Sequence, residues 1–163
     1  MTVTAIDPKT AFIVIDLQKG VVSLRGATHL EEVVGHACTL VTAFRRRGLP
    51  VVLVNVVGSA PGRTEQPRAS PKLSADWTDL IPDLNRQPHD HIVTKHTPGA
   101  FTRTDLVAHL RSLEVTQVVV AGVATSNCVE VTARQAYELG FNVTLATDAM
   151  TDLHPDAHTW SVT

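Results

Sequence analysis

Short, continuous apolar runs alternate with longer stretches that have helical spacing. AFIVID (Ala11–Asp16), PVVLVNVVG (Pro50–Gly58), HIVTK (His91–Lys95), VTQVVVAG (Val115–Gly122) and FNVTLATDA (Phe141–Ala149) are mostly apolar on successive positions rather than on alternate ones. Strands covered on both faces, as in a parallel sheet, read this way. Between the first two, His29 to Arg47 puts Leu30, Val33, Val34, Ala37, Leu40, Val41 and Phe44 on one side of a helix. Arg45, Arg46 and Arg47 followed by Gly48 suit its C-terminus, where positive charge meets the helix dipole and glycine stops the turn. Thr104 to Leu113 predicts another helix, with Thr104 or Thr102 as its cap. Val129 to Leu139 predicts a third, ended by Gly140. This strand–helix alternation predicts an α/β fold with a parallel sheet between helices, in one domain over residues 1–163.

Ser59 to Pro88 breaks the pattern. It is rich in Pro, Gly, Ser and Arg, and its anchors are Trp77 and Leu80. A long segment of weak periodicity between firm strands reads as a functional loop or lid. Arg63 and Arg68 within it are able to meet a substrate carboxylate, although solvated surface arginines are the simpler reading.

Composition narrows the class without naming a function. In 163 residues, hydrophobic content is 44%, charged content 18% and net charge −2, as in an ordinary globular domain. With no charged block there is no electrostatic reason to expect nucleic acid or a membrane as partner. No apolar stretch has the length of a membrane span, and the start MTVTAIDPKT lacks a secretory layout. A cytoplasmic location is the expectation. Cys38 and Cys128 have no C-x-x-C partner and are read as reduced thiols.

The chemistry gathers at strand ends. Asp16 ends the first strand, Lys95 ends the third, and Cys128 follows the fourth just before a helix. In a parallel sheet, ligands bind at the carboxyl ends of strands. Singly, each residue has a bland reading as cap, solvated cation or small core residue; their shared edge is what points to a site. A helix N-terminus and a nearby ammonium both favour a thiolate, so Cys128 is expected to be activated below the ordinary thiol range of about 8.5. Asp16 is placed to accept the thiol proton, and Thr125-Ser126-Asn127 forms a turn whose amides can face a developing oxyanion.

GVATSNCVEVTARQAYELGF, FIVIDLQ, TKHTPGAFTRTDL and ATDAMTDLHPDAH occur in that family's characteristic segments, and with them the chain resembles the isochorismatase-like cysteine hydrolases. The resemblance spans nearly the whole chain. It implies a Rossmann-like three-layer sandwich and an Asp16–Lys95–Cys128 triad. It also implies a cis peptide between Val123 and Ala124 that aims the Ala124 and Cys128 amides as an oxyanion hole, with Gln18 and Phe101 lining the pocket. A cysteine at the nucleophile position favours acyl transfer at a small amide or ureido C–N bond through a thioester. Hydrolysis of another activated carbonyl or an enol ether, or an idle binding protein, are the alternatives. The partner is a small-molecule substrate, and a homo-oligomer, dimer or tetramer, is implied.

No cofactor is implied. The place of the nicotinamidase metal motif reads NVVGSAPGRT, without Asp or His, so no metal is expected there; His89/His91 and His154/His158 are better read as surface or packing residues. Two departures stand out. Gly99 occupies the position where members of the family usually carry serine before the Ala-Phe pair. The sequence also ends at HTWSVT, inside or near a helix that members continue into a short final strand, so the C-terminal helix and strand are expected to be incomplete.

Overall fold

The computed structural model describes residues 5–24, 29–63, 65 and 73–163. Its centre is one parallel sheet of β1 (Thr10–Ile15), β2 (Val51–Val56), β3 (His91–Lys95), β4 (Gln117–Val123) and β5 (Asn142–Thr151), in the order β3-β2-β1-β4-β5. Helices flank it: α1 (Lys19–Val22), α2 (Leu30–Arg46), α3 (Leu106–Ser112), α4 (Glu130–Glu138) and α5 (Pro155–Val162). The α/β expectation holds. All six residues of β1 and all seven of β4 are buried, which is why their sequences are apolar without alternation.

Ile15 lies opposite Val54 on one side and Gly122 on the other. Gly122 has φ +121, and a Cβ there would fall 2.0 Å from the Ile15 carbonyl oxygen. Only glycine lets β4 run this close to β1. The same point marks a register shift between β4 and β5, after which Gly122 pairs with Met150.

The helical face of α2 is as the spacing predicts, with Val33, Ala37, Val41 and Phe44 buried. Three boundaries differ. The residues ahead of α4 wind as one π-helical turn, Thr125–Val129, so regular helix starts at Glu130. β5 continues past Ala149 to Thr151. The N-cap position of α3 is Asp105, without a side-chain cap of its own; Thr104 Oγ1 accepts from Leu106 N at 3.4 Å, as a cap would, while donating to Ala100 O at 2.6 Å, and Thr102 serves α4 rather than α3. The four residues of α1 are too few for periodicity to reveal.

The described end of the Ser59–Pro88 segment is strapped down. Lys19 N donates to Asp79 O at 2.8 Å, and Gly20 N to Trp77 O at 3.0 Å. Leu80 bridges to Gln18, and Pro82–Leu84 forms a 3-10 turn. Trp77 and Leu80 are thus anchors, as expected. Arg63 is exposed, and Arg68 lies outside the described residues.

Candidate active site

After β1 the chain builds β2 and β3 on one side and then crosses to build β4 and β5 on the other. The sheet's switch point is therefore between β1 and β4, where a crevice opens at the carboxyl ends in folds of this kind. Asp16 follows β1 at that point, and Cys128 follows β4. Lys95 ends β3, the edge strand, and its long stem spans the width of β2.

Lys95 Nζ donates to Asp16 Oδ2 at 2.7 Å, with both side chains almost wholly out of water. Asp16 leaves the strand at φ 52, a left-handed conformation that Asp tolerates better than most residues and that re-aims its side chain. Its second oxygen, Oδ1, is buried and has no hydrogen-bond partner among the described residues. Burial pushes the Asp16 carboxyl above the usual carboxylate range, against the pull of Lys95 and of the Cys128 thiol. A desolvated carboxylate with one oxygen open is a stronger base than one in water.

Cys128 interacts with both members of the pair, but not as the sequence suggests. Burial and then the Asp16 charge push its thiol up to about 11, and Lys95 offsets only part of this. This runs against the expected activated thiolate: burial at Cys128 favours the neutral thiol. Composition shows the ammonium, whereas the depth of the turn that buries the sulfur is a property of the fold. Cys38, half-buried on α2, is also pushed up by burial and donates to Asp83 O at 3.2 Å. Nothing brings it near Asp16.

The turn carrying Cys128 is held from several sides. The Val123–Ala124 peptide is cis. Asn127 N and Val129 N both donate to Ala124 O, at 3.2 and 3.1 Å. Asp152, buried after β5, accepts from Ser126 N and Ser126 Oγ at 2.8 Å each. Burial pushes the Asp152 carboxyl up, yet the hydrogen bonds from Ser126 and the His154 amide hold it below the usual range. His158 on α5 shares a 2.8 Å hydrogen bond with Thr125 Oγ1. Within α4, Thr132 Oγ1 donates to Cys128 O at 2.7 Å. Sequence reasoning singled out none of Asp152, His158 or Thr132 for this work. Only Thr132 gave a signal, its four-residue helical spacing from Cys128.

Gln18 is wholly buried and committed to the scaffold. Its Nε2 donates to Val56 O and Trp77 O, at 3.1 and 3.0 Å, and its Oε1 accepts from Val56 N at 2.7 Å. Both amide donors are thus engaged with backbone. Phe101 is half-buried, its ring 6.1 Å from that of Phe141.

One member of each histidine pair has a side-chain partner, His158 in Thr125 and His91 in His109 and Asp105. His91 stacks on His109 at 3.6 Å and meets Asp105, and Asp90 pairs with Arg45. His154 is the N-cap of α5, so it does not share a helix face with His158. Among the described residues, no cluster of three or more His, Cys, Asp or Glu is placed to hold a metal ion, and no helix is long and apolar enough to cross a membrane.

Residues 10–163 match the family model of the isochorismatase domain. The chain is 36% identical over 157 residues to the isochorismatase family protein YwoC of Bacillus subtilis, covering 92% of this chain and 82% of that protein. It is 28% identical over 178 residues to the ureidoacrylate amidohydrolase RutB of Pantoea ananatis, covering 91% and 71%. The solved structure of an isochorismatase family protein from Burkholderia thailandensis superposes with a TM-score of 0.92 at 38% identity, covering 99% of this chain and 89% of that one.

Proposed function

Because the chain belongs to the isochorismatase-like hydrolase family, several members of which use a catalytic cysteine, we propose that it hydrolyses a small amide or ureido C–N bond through a thioester on Cys128. The observation that carries this reading is the buried Lys95–Asp16 pair, which leaves Asp16 Oδ1 open beside a neutral thiol. Family-level hydrolysis of such bonds supports the substrate class.

The resting site holds a carboxylate, an ammonium and an S–H. As Cys128 Sγ attacks the substrate carbonyl carbon, the thiol proton passes to Asp16 Oδ1. The carbonyl π pair moves onto oxygen, and the Ala124 and Cys128 amides are its donors. Collapse re-forms the carbonyl and breaks the C–N bond, and Asp16 gives its proton to the departing nitrogen. An acyl or carbamoyl thioester and free ammonia or amine result. Water then attacks the thioester, Asp16 takes its proton, and the thiol leaves reprotonated with the acid as second product. Lys95 Nζ donates to Asp16 Oδ2 and opposes the effect of burial on that carboxyl. A neutral thiol deprotonated only during attack fits a site where burial opposes the thiolate. The Asp152 clamp on Ser126 supports the role of the turn. Phe101 is the pocket wall in this reading, and Gln18 shapes the floor through the backbone it binds. The exposed rings of Tyr137 and Trp160 support a homo-oligomer.

Ammonia release from a panel of small primary amides and N-carbamoyl amino acids tests the proposal. Wild type is expected to turn over at least one class and Cys128→Ala none. Equal release by the variant overturns it.

A further inference from the structure

Helix α4 does more than follow Cys128. Two of its side chains, one turn apart, reach the loop that follows Lys95. Buried Thr132 donates to Cys128 O and also accepts from Ala100 N at 3.1 Å, so one hydroxyl joins the nucleophile's residue to that loop. Gln135 Oε1 accepts from Phe101 N at 3.3 Å, and Gln135 Nε2 donates to Thr102 Oγ1 at 2.7 Å.

Gln135 fills the space that a side chain at position 99 would need. A Cβ on Gly99 would fall 2.2 Å from Gln135 Oε1 and 2.6 Å from its Cδ. Gly99 is not in the left-handed region, so what glycine gives here is room for the Gln135 amide and not conformational freedom. The serine usual in the family at this position cannot coexist with Gln135 where it stands.

We propose that Gly99 and Gln135 are a matched pair, one side chain filling the space the other leaves, and that Gln135 is a positioning residue that ties the Gly99–Thr102 loop to the helix following Cys128 and thereby limits access to its thiol. The inference rests on the thioester reading for its meaning in catalysis, but its geometry does not depend on turnover. Together Thr132 and Gln135 fix the loop after Lys95 to the helix after Cys128, and so set the access and the burial of the thiol between them. Phe101, whose amide Gln135 holds, is the side chain whose position this fixes.

The test is the rate of iodoacetamide alkylation at Cys128 against pH, followed by peptide mass spectrometry without substrate. Cys38 reports on the rest of the fold. Gln135→Ala is expected to speed Cys128 alkylation at pH 8 about five- to tenfold and to shift its profile to lower pH, because a looser loop leaves the thiol less desolvated. Gly99→Ser, which displaces the amide, is expected to do the same. The double variant Gly99→Ser/Gln135→Ala is expected to return within about twofold of wild type, as is Gln135→Glu, which still accepts from Phe101 N. Cys38 is expected to be unchanged in all four. Unchanged Cys128 rates in the single variants, or single effects that simply multiply in the double, overturn the pairing. If Gly99→Ser does not fold alone, Gln135→Ala against Gln135→Glu decides: equal profiles overturn the proposal. Absence of ammonia release would count against the thioester reading and leave these rates unaffected.

Discussion

Lys95 Nζ and Asp16 Oδ2 stand 2.7 Å apart with neither side chain reaching water. A buried pair of this kind is weak evidence for stability, since desolvation offsets its attraction. Its consequence is chemical. Lys95 opposes the burial that disfavours the charged carboxylate, and burial still outweighs it, so Asp16 is more basic than an exposed aspartate.

Replacing Lys95 with Met would leave that carboxylate buried without its cation. Loss of one partner of such a pair costs about 3–5 kcal/mol. The cost is expected to be larger at pH 8 than at pH 5, because protonation of Asp16 relieves it. Urea unfolding at both pH values checks this, and a pH-independent loss would count against it.

Asp16→Asn removes both the base and the charge that raises the thiol. Turnover is expected to fall by roughly 10²–10⁴-fold, the usual contribution of a positioned base. Cys128 alkylation is expected to begin at lower pH than in wild type. Loss of turnover with an unmoved alkylation profile would mean that Asp16 does not face the thiol.

Stability is expected to depend on alkaline pH through Cys128. Its folded value, about 11, lies above its ordinary value of 9.0. Folding then favours the protonated thiol, so this contribution is full below pH 9 and is lost as pH rises through about 11. Two units correspond to roughly 2–3 kcal/mol. Wild type should lose about that much more than Cys128→Ser between pH 8.5 and 11 in denaturant titrations; parallel curves would contradict the assignment.

Gly122→Ala is expected to be severe. The added carbon would lie 2.0 Å from Ile15 O, at φ +121. Because β1 and β4 carry Asp16 and Cys128, strand separation should lower the melting temperature and the turnover together. A variant with wild-type melting behaviour would rule out the close approach.

The sheet was legible because its strands are buried on both faces: AFIVID and VTQVVVAG are apolar without a break for that reason. The residues placed at the switch point were legible for a related reason, since strand ends are visible wherever such runs stop. The state of Cys128 was not legible. Its position showed a helix start and a nearby lysine, whereas the outcome turns on how deeply the π-turn sets the sulfur and on which of two opposite charges is felt more. The clamps on the turn were hidden too. Asp152 acts across 26 residues of sequence on Ser126, and no local pattern carries that information. Gln18 shows the opposite case: a residue assigned to the pocket by resemblance has its amide donors engaged by Val56 and Trp77, partners that only the fold brings to it.

The most direct test of the central claim is to catch the intermediate. Wild-type protein would be mixed with N-carbamoyl amino acids and small primary amides, quenched in acid within the first turnovers, digested and weighed. The account predicts an acyl or carbamoyl mass on the peptide carrying Cys128, none on Cys38, and loss of the adduct as ammonia and acid accumulate. Steady ammonia release with no adduct at Cys128, retained in Cys128→Ala, would contradict it.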